Sequence, residues 1–180
     1  RKNIRSGQQI NRANKANKKN RCFECHPILQ VNCRDFHTGL IMNKRWTPHA
    51  TVATIVVRDD RFLMVEELSG GEAVFNQPAG HIEAGETVEA AAIRETLEET
   101  GWHVAITGLL GLYTYTAPTN GITYHRYCLI GEAINHDPNA ELDEGIIGPQ
   151  WLTIEELRAS KRLRSPMVLT CAEDYISGRH

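Results

Sequence analysis

A mixed α/β sandwich is the fold class this sequence predicts, on three observations. Strand-like, β-branched segments over residues 50–67 are separated by turn residues. A single strongly helical stretch, 87–100, interrupts the strands. Further strands then give way to two helix-opening motifs near the C-terminus.

The elements follow in order. Ala50–Arg58 (ATVATIVVR) reads as a buried strand, and Asp59-Asp60 turns the chain into Arg61–Glu67. Ser69-Gly70-Gly71 is a second turn before a short strand, Ala73–Phe75. Asn76–Gly85, with Pro78, Gly80 and Gly85, is a loop. Thr87–Thr100 is the helix, with Thr87 as N-cap and Gly101 as C-cap. Trp102–Thr116 is a strand bent at Gly108 and Gly111. Pro118-Thr119-Asn120-Gly121 turns it into Ile122–Ala133. A polar, acidic loop, Asn135–Glu144, precedes a short strand at Gln150–Leu152. Thr153-Ile154-Glu155-Glu156 is a capping box, and Ser165-Pro166 opens a last helix that Gly178 ends.

Charge divides the chain. Residues 1–41 carry nine Lys/Arg and two Asp/Glu, a net of +7, whereas residues 42–180 carry eleven and twenty, a net of −9. Arg1–Asn20 is nearly empty of apolar residues, and residues 1–41 read as a disordered or non-native basic leader. Met42, just before the first strand, is the expected start of the domain at 42–180. Cys22, Cys25, Cys33 and His37 have spacing that zinc could use, though so short a tail motif arises readily by chance. The acidic domain argues against broad nucleic-acid binding and for a site that gathers cations. No window reaches 18 apolar residues and no secretory h-region stands at the N-terminus, so no membrane span and a cytoplasmic setting are expected; a monomer is the expected state. Five cysteines, an odd number, do not form a disulfide framework.

The helix breaks local rules. Glu95, Glu98 and Glu99 fall within an arc of about 100° near the C-terminal end, where both their mutual repulsion and the helix dipole oppose them. Nothing in the local sequence visibly offsets this. Ala90, Ile93 and Leu97 form the face expected to enter the core, with the carboxylates on the other side. Broken rules of this kind mark functional sites. A hard divalent cation, Mg²⁺ or Mn²⁺, would supply the missing charge. The bland alternative is a solvated acidic face, but the glycine-bearing loop before the helix and Gly101 after it make that less economical.

Residues 80–102 read G-HIEAG-E-TVEAAAI-RETLEETGW. The string resembles the Nudix box at Gly80, Glu86, Arg94, Glu95, Glu98, Glu99, Gly101 and Trp102. It departs at Thr96, where the box has an apolar residue, and many relatives carry Gly in place of Ala79. Val65-Glu66-Glu67, Asn76–His81, Arg126 and Leu163-Arg164-Ser165-Pro166 extend the resemblance over roughly Trp46–His180. It implies an α/β/α sandwich around a mixed sheet. It also implies a cytoplasmic, Mg²⁺-dependent enzyme acting on phosphoanhydride bonds of nucleoside di- and triphosphates and thiamine-type pyrophosphates. By the same resemblance Glu95, Glu98 and Glu99 are the metal set, one of them able to activate water. Glu86 and Arg94 form an ion pair, and a carbonyl at Ala79 or Gly80 adds a ligand.

Arg126, Gln77, His81 and Tyr113 are the candidate substrate contacts. Arg126 could hold a phosphate through its planar fork or sit in a surface ion pair. Tyr113, Tyr115, Tyr124 or Phe75 could stack a base, although core packing is the commoner role. Cys128 and Cys171 are expected to pack as small hydrophobes. Two other functions compete: an RNA 5′-end pyrophosphohydrolase aided by the basic leader, and a non-catalytic nucleotide sensor. The complete glutamate set argues against the sensor.

Overall fold

A computed structural model describes residues 45–179. The leader at 1–41 and the Cys22/Cys25/Cys33/His37 spacing lie outside the described residues. Six strands and three helices follow the expected order: β1 His49–Arg58, β2 Arg61–Ser69, β3 Glu72–Asn76, α1 Val88–Thr100, β4 Trp102–Thr116, β5 Thr123–His136, β6 Ile146–Leu152, α2 Ile154–Ala159 and α3 Pro166–Ile176. The strands form one mixed sheet, β3-β2-β1-β5-β4, with β6 paired to β2. β1 and β5 run parallel, and the other pairs are antiparallel.

Alternation along β1 sorts its side chains between two layers. Ala53 and Ile55 pack with Leu157 of α2 and Val168, Cys171 and Ala172 of α3. Val52 packs with Ala91 and Ala92 of α1, and Val56 lies in a cluster with Ile93. The sheet is therefore covered on both faces, an α/β/α sandwich. Among the described residues no helix is long and apolar enough to cross a membrane.

β1 and β2 pair only beside their turn, at Val57 with Phe62 and Arg58 with Arg61. Asp59 and Asp60 take positive φ there, which Asp tolerates better than most residues. Further along, β2 turns away to β3 and β6, and the loop before α1 takes its place. Val52 N donates to Gly80 O (2.9 Å), Thr54 N to Pro78 O (3.0 Å) and Ile82 N to Ala50 O (3.2 Å). The irregular loop is thus held almost as a strand.

The caps of α1 form as the sequence predicts. Thr87 Oγ1 accepts from Ala90 N, and Gly101, at φ 68°, donates to Leu97 O. The expected burial of its faces does not hold. Ala90 is exposed, Ile93 and Leu97 are half-buried, and Ala91, Ala92, Glu95, Thr96, Glu99 and Thr100 are buried. Small alanines let the helix approach β1 closely, and the glutamates continue that same inward face where the helix overhangs the loop. Thr96, the departure from the apolar pattern, is enclosed: its Oγ1 donates to Ala92 O (2.7 Å) and can accept from Thr54 Oγ1 on β1, 3.1 Å away. At the C-terminal end, Ser165 precedes α3 as expected, yet its hydroxyl makes no capping bond.

Candidate active site

A cleft of about 980 Å³ opens where α1, the 76–83 loop, β5 and the start of α3 meet. Glu95, Glu98, Glu99, Arg94, Gly80 and His81 line it, and so do Arg126, Tyr115 and Tyr124.

Arg94 organises its acidic side. Nε donates to Glu86 Oε1 (2.8 Å) and Nη2 to Glu86 Oε2 (3.0 Å), a two-point clamp across the first turns of α1. Nη2 also donates to the His81 carbonyl (3.1 Å), and Nη1 to Glu95 Oε1 and Glu98 Oε2, both at 2.8 Å. The expected Glu86–Arg94 pair is present. The helix is not wholly uncompensated, because the same guanidinium also faces two of the three glutamates. One cation against three carboxylates still leaves an acidic excess.

Gly80 belongs to this arrangement for a steric reason. A Cβ there would stand 2.1 Å from the Glu95 carboxyl carbon, so only glycine lets the loop pass so close. Its carbonyl already accepts from Val52 N, which leaves one lone pair for any further contact. Glu99 is turned to the neighbouring residue, with its Oε2 accepting from Ala79 N at 2.8 Å. Burial pushes the Glu99 carboxyl up to about 8, against the pull of that amide. Burial raises Glu95 as well, and Arg94 only partly opposes it.

Asp143 was not foreseen. Asp143, Glu95 and Glu98 each bring one carboxylate oxygen to a point where all three lie within 4.8 Å of one another. The acidic 137–145 loop does this by capping α1: Asp137 N donates to Gly101 O (2.9 Å) and Asp143 N to Glu98 O (3.0 Å). The acidic character of the loop was visible in sequence, but no spacing rule joins Asp143 to a helix some forty residues earlier. The three converging hard oxygens suit a divalent cation such as Mg²⁺ and leave soft metals without a preferred ligand.

The expected substrate contacts divide. Arg126 lines the cleft although its side chain is buried, and no carboxylate forms an ion pair with it among the described residues. Its Nη1 makes long contacts to Asn76 Oδ1 (3.5 Å) and Gln77 Oε1 (3.4 Å), and burial lowers its pKa. The surface ion pair weighed for it is absent. His81 is at the mouth, sharing a 3.0 Å hydrogen bond with His49, and burial lowers its pKa. Gln77 needs correction: it is fully buried, donating to Val168 O (2.8 Å) and accepting from Arg126, so it braces α3 and Arg126. Tyr113 also needs correction. Its hydroxyl donates to Asp174 Oδ2 (3.0 Å) and its ring packs in the core beneath α3. Tyr115, two residues on, and Tyr124, its cross-strand partner, are the tyrosines that line the cleft. Cys128 and Cys171 are buried free thiols, as expected.

Known proteins share this sequence and fold. Residues 47–169 match the NUDIX domain family. A NUDIX hydrolase from Nitrosomonas europaea is 42% identical, covering 74% of this chain and 92% of its own, with a TM-score of 0.73. Phosphatase NudJ of Escherichia coli is 37% identical over 132 residues, 73% of this chain and 86% of that protein. A MutT NUDIX hydrolase from Burkholderia pseudomallei, at 20% identity and a TM-score of 0.62, shares the fold. With a family match over most of the chain and relatives this similar, the chain belongs to the Nudix family, as a hydrolase acting on phosphoanhydride bonds.

Proposed function

We propose that this protein hydrolyses nucleoside tri- and diphosphates and related pyrophosphates, thiamine-type compounds included, releasing phosphate with Mg²⁺, or Mn²⁺, as cofactor. The carrying observation is the convergence of Glu95, Glu98 and Asp143 in the cleft that also holds the unpaired Arg126. These three carboxylates would hold the cation, with a carbonyl of the 79–80 loop and Glu99 beside them. A cation held there supplies charge neutralisation at the scissile phosphate and makes water more acidic.

The chain's own groups do the rest. Arg94 keeps Glu95 and Glu98 in place and ties both to the loop through Glu86 and the His81 carbonyl. Arg126 offers the substrate a buried positive charge, where low polarity strengthens the contact. Glu99, on the oxygen that Ala79 leaves free, would take the proton from the attacking water once a bound cation favours its ionised form. The cleft volume suits a nucleotide-sized ligand. Buried free thiols in Cys128 and Cys171 accord with the reducing, cytoplasmic setting we propose, and the enzyme is taken to act as a monomer.

The test is a phosphate-release screen with Mg²⁺ across nucleoside di- and triphosphates, thiamine diphosphate, sugar nucleotides and 5′-triphosphorylated RNA. It should be run on the full chain and on a chain beginning at Met42. Turnover of small nucleotides or pyrophosphates by both is expected. Preference for the RNA would overturn the substrate reading, and activity confined to the full chain would overturn the assignment of activity to residues 42–180.

A further inference from the structure

Two sequence motifs, Val65-Glu66-Glu67 and Leu163-Arg164-Ser165-Pro166, have no part in the chemistry above. The fold brings them together: Arg164 Nη1 donates to Glu67 Oε2 across 97 residues. Among the described residues, three buried side-chain atoms lack a hydrogen-bond partner: Glu67 Oε1, Arg126 Nε and Ser165 Oγ. All three residues line the cleft that holds the glutamates. Orphaned buried polar atoms are rare in native proteins, and three on one cleft call for a common explanation.

The side chains are held, not loose. Arg164 fixes one oxygen of Glu67 and leaves the other unspent. Asn76 and Gln77 hold Arg126 by Nη1, and Gln77 is itself anchored to Val168 of α3. Ser165 stands at the head of α3 without using its hydroxyl as a cap.

We propose that Glu67, Arg126 and Ser165 form a subsite that reads the heteroaromatic ring of the substrate, through an edge where an N–H donor adjoins an acceptor. This rests on the reading of the cleft as a nucleotide or pyrophosphate site. Glu67, paired with Arg164, can only accept, Arg126 can only donate, and Ser165 can do either. A phosphate could satisfy Arg126 and Ser165, but it would leave Glu67 Oε1 unpaired and set an anion beside a carboxylate. A ring amino group next to a ring nitrogen satisfies the set. Amino-substituted nucleobases carry such an edge, and so does the aminopyrimidine of thiamine. Tyr115 and Tyr124, on the same cleft, provide faces on which such a ring can stack.

The test compares kcat/KM, with Mg²⁺, for five probes. ATP is set against purine riboside 5′-triphosphate, which lacks the amino group, and thiamine diphosphate against oxythiamine diphosphate, in which a carbonyl replaces it. Tripolyphosphate has the anhydride and no ring. For whichever ring source is the substrate, the amino compound should lead its analogue by at least about tenfold, since a site built to bond a group rejects the analogue without it. Glu67→Gln should collapse that preference. Ser165→Ala should lower the ratio of the ring substrate to tripolyphosphate severalfold, and its thermal midpoint should match the parent because the hydroxyl bonds nothing in the protein. That variant keeps the test valid if Glu67→Gln, having weakened the Arg164 pair, fails to fold. Equal turnover with and without the amino group overturns the subsite alone, as does an equal fall on tripolyphosphate. An enzyme that hydrolyses none of the five contradicts the proposed substrate class and the subsite with it.

Discussion

Gly80 and Glu98 show how differently two residues of one motif act. Gly80 is needed for absence: a methyl group there meets the Glu95 carboxylate, the far end of a flexible side chain pinned by Arg94. Gly80→Ala should therefore fold, with Glu95 displaced, and lose roughly 100-fold in kcat, the scale of an ångström misplacement at a reacting centre. Parent-like kcat in a folded Gly80→Ala enzyme would show that the close approach is incidental. Glu98 is needed for charge. Glu98→Gln keeps the size and should lower kcat by several orders of magnitude. Its side chain is 40% exposed and its pair with Arg94 is one of several, so the metal-free fold should barely notice. A change under about 1 kcal/mol is expected, since repulsion relieved offsets the pair lost. A large fall in melting temperature together with normal turnover would make Glu98 a structural residue. Both residues were legible in sequence because the motif is local and its spacing fixes the helical face. Gln77 and Tyr113 were misread because their environment is not local. A polar loop residue gives no sign that α3 will cover it. Tyr113 and Tyr115 share a face of β4 by alternation, and only the position of α3 decides which reaches the cleft.

At the scale of the element, the helix boundaries followed from Thr87 and Gly101, but its orientation did not. Counting apolar residues pointed to the Ala90, Ile93 and Leu97 face. The structure buries the alanine and threonine face instead, because close approach to β1 favours small side chains over large ones. Thr96 and Thr54 form the contact there, both with no exposed surface. Thr96→Val would leave the Thr54 hydroxyl with only the 3.4 Å contact to Ala92 O. A loss of about 1–2 kcal/mol in unfolding free energy is expected, whereas Thr54→Val with Thr96→Val should be close to neutral, since the pair is replaced as a unit. Additive losses in a denaturant double-mutant cycle would remove this pairing as the reason for threonine at the apolar position. The 137–145 loop carries the complementary lesson. Its acidity was plain, but its use of two backbone amides to close the end of α1 and deliver Asp143 is a tertiary event.

For the whole molecule, the cleft stores protonation energy. Unfolded, the Glu99 carboxyl releases its proton near 4.5, whereas in the fold burial holds it to about 8, and Glu95 shifts in the same direction. The folded state thus binds more protons across that window. This contribution is fully present below pH 4.5 and is lost as pH rises toward 8. In chelator, the melting temperature should fall by several degrees between pH 5.5 and 8.5, at up to about 1.4 kcal/mol per pH unit for each such group. Excess Mg²⁺ should flatten the profile by favouring the ionised carboxylates. A chelated protein whose stability is flat or rises over that range would contradict the burial of these acids.

The central claim is that Glu95, Glu98 and Asp143 are brought together to hold a divalent cation on which hydrolysis depends. The most direct measurement is phosphate release by enzyme stripped with EDTA and then titrated with Mg²⁺ or Mn²⁺, using the best substrate of the screen. Turnover should vanish in chelator and return with either ion along a saturable curve, and Asp143→Asn should shift that curve to higher metal concentration. Full turnover in excess chelator would contradict the account.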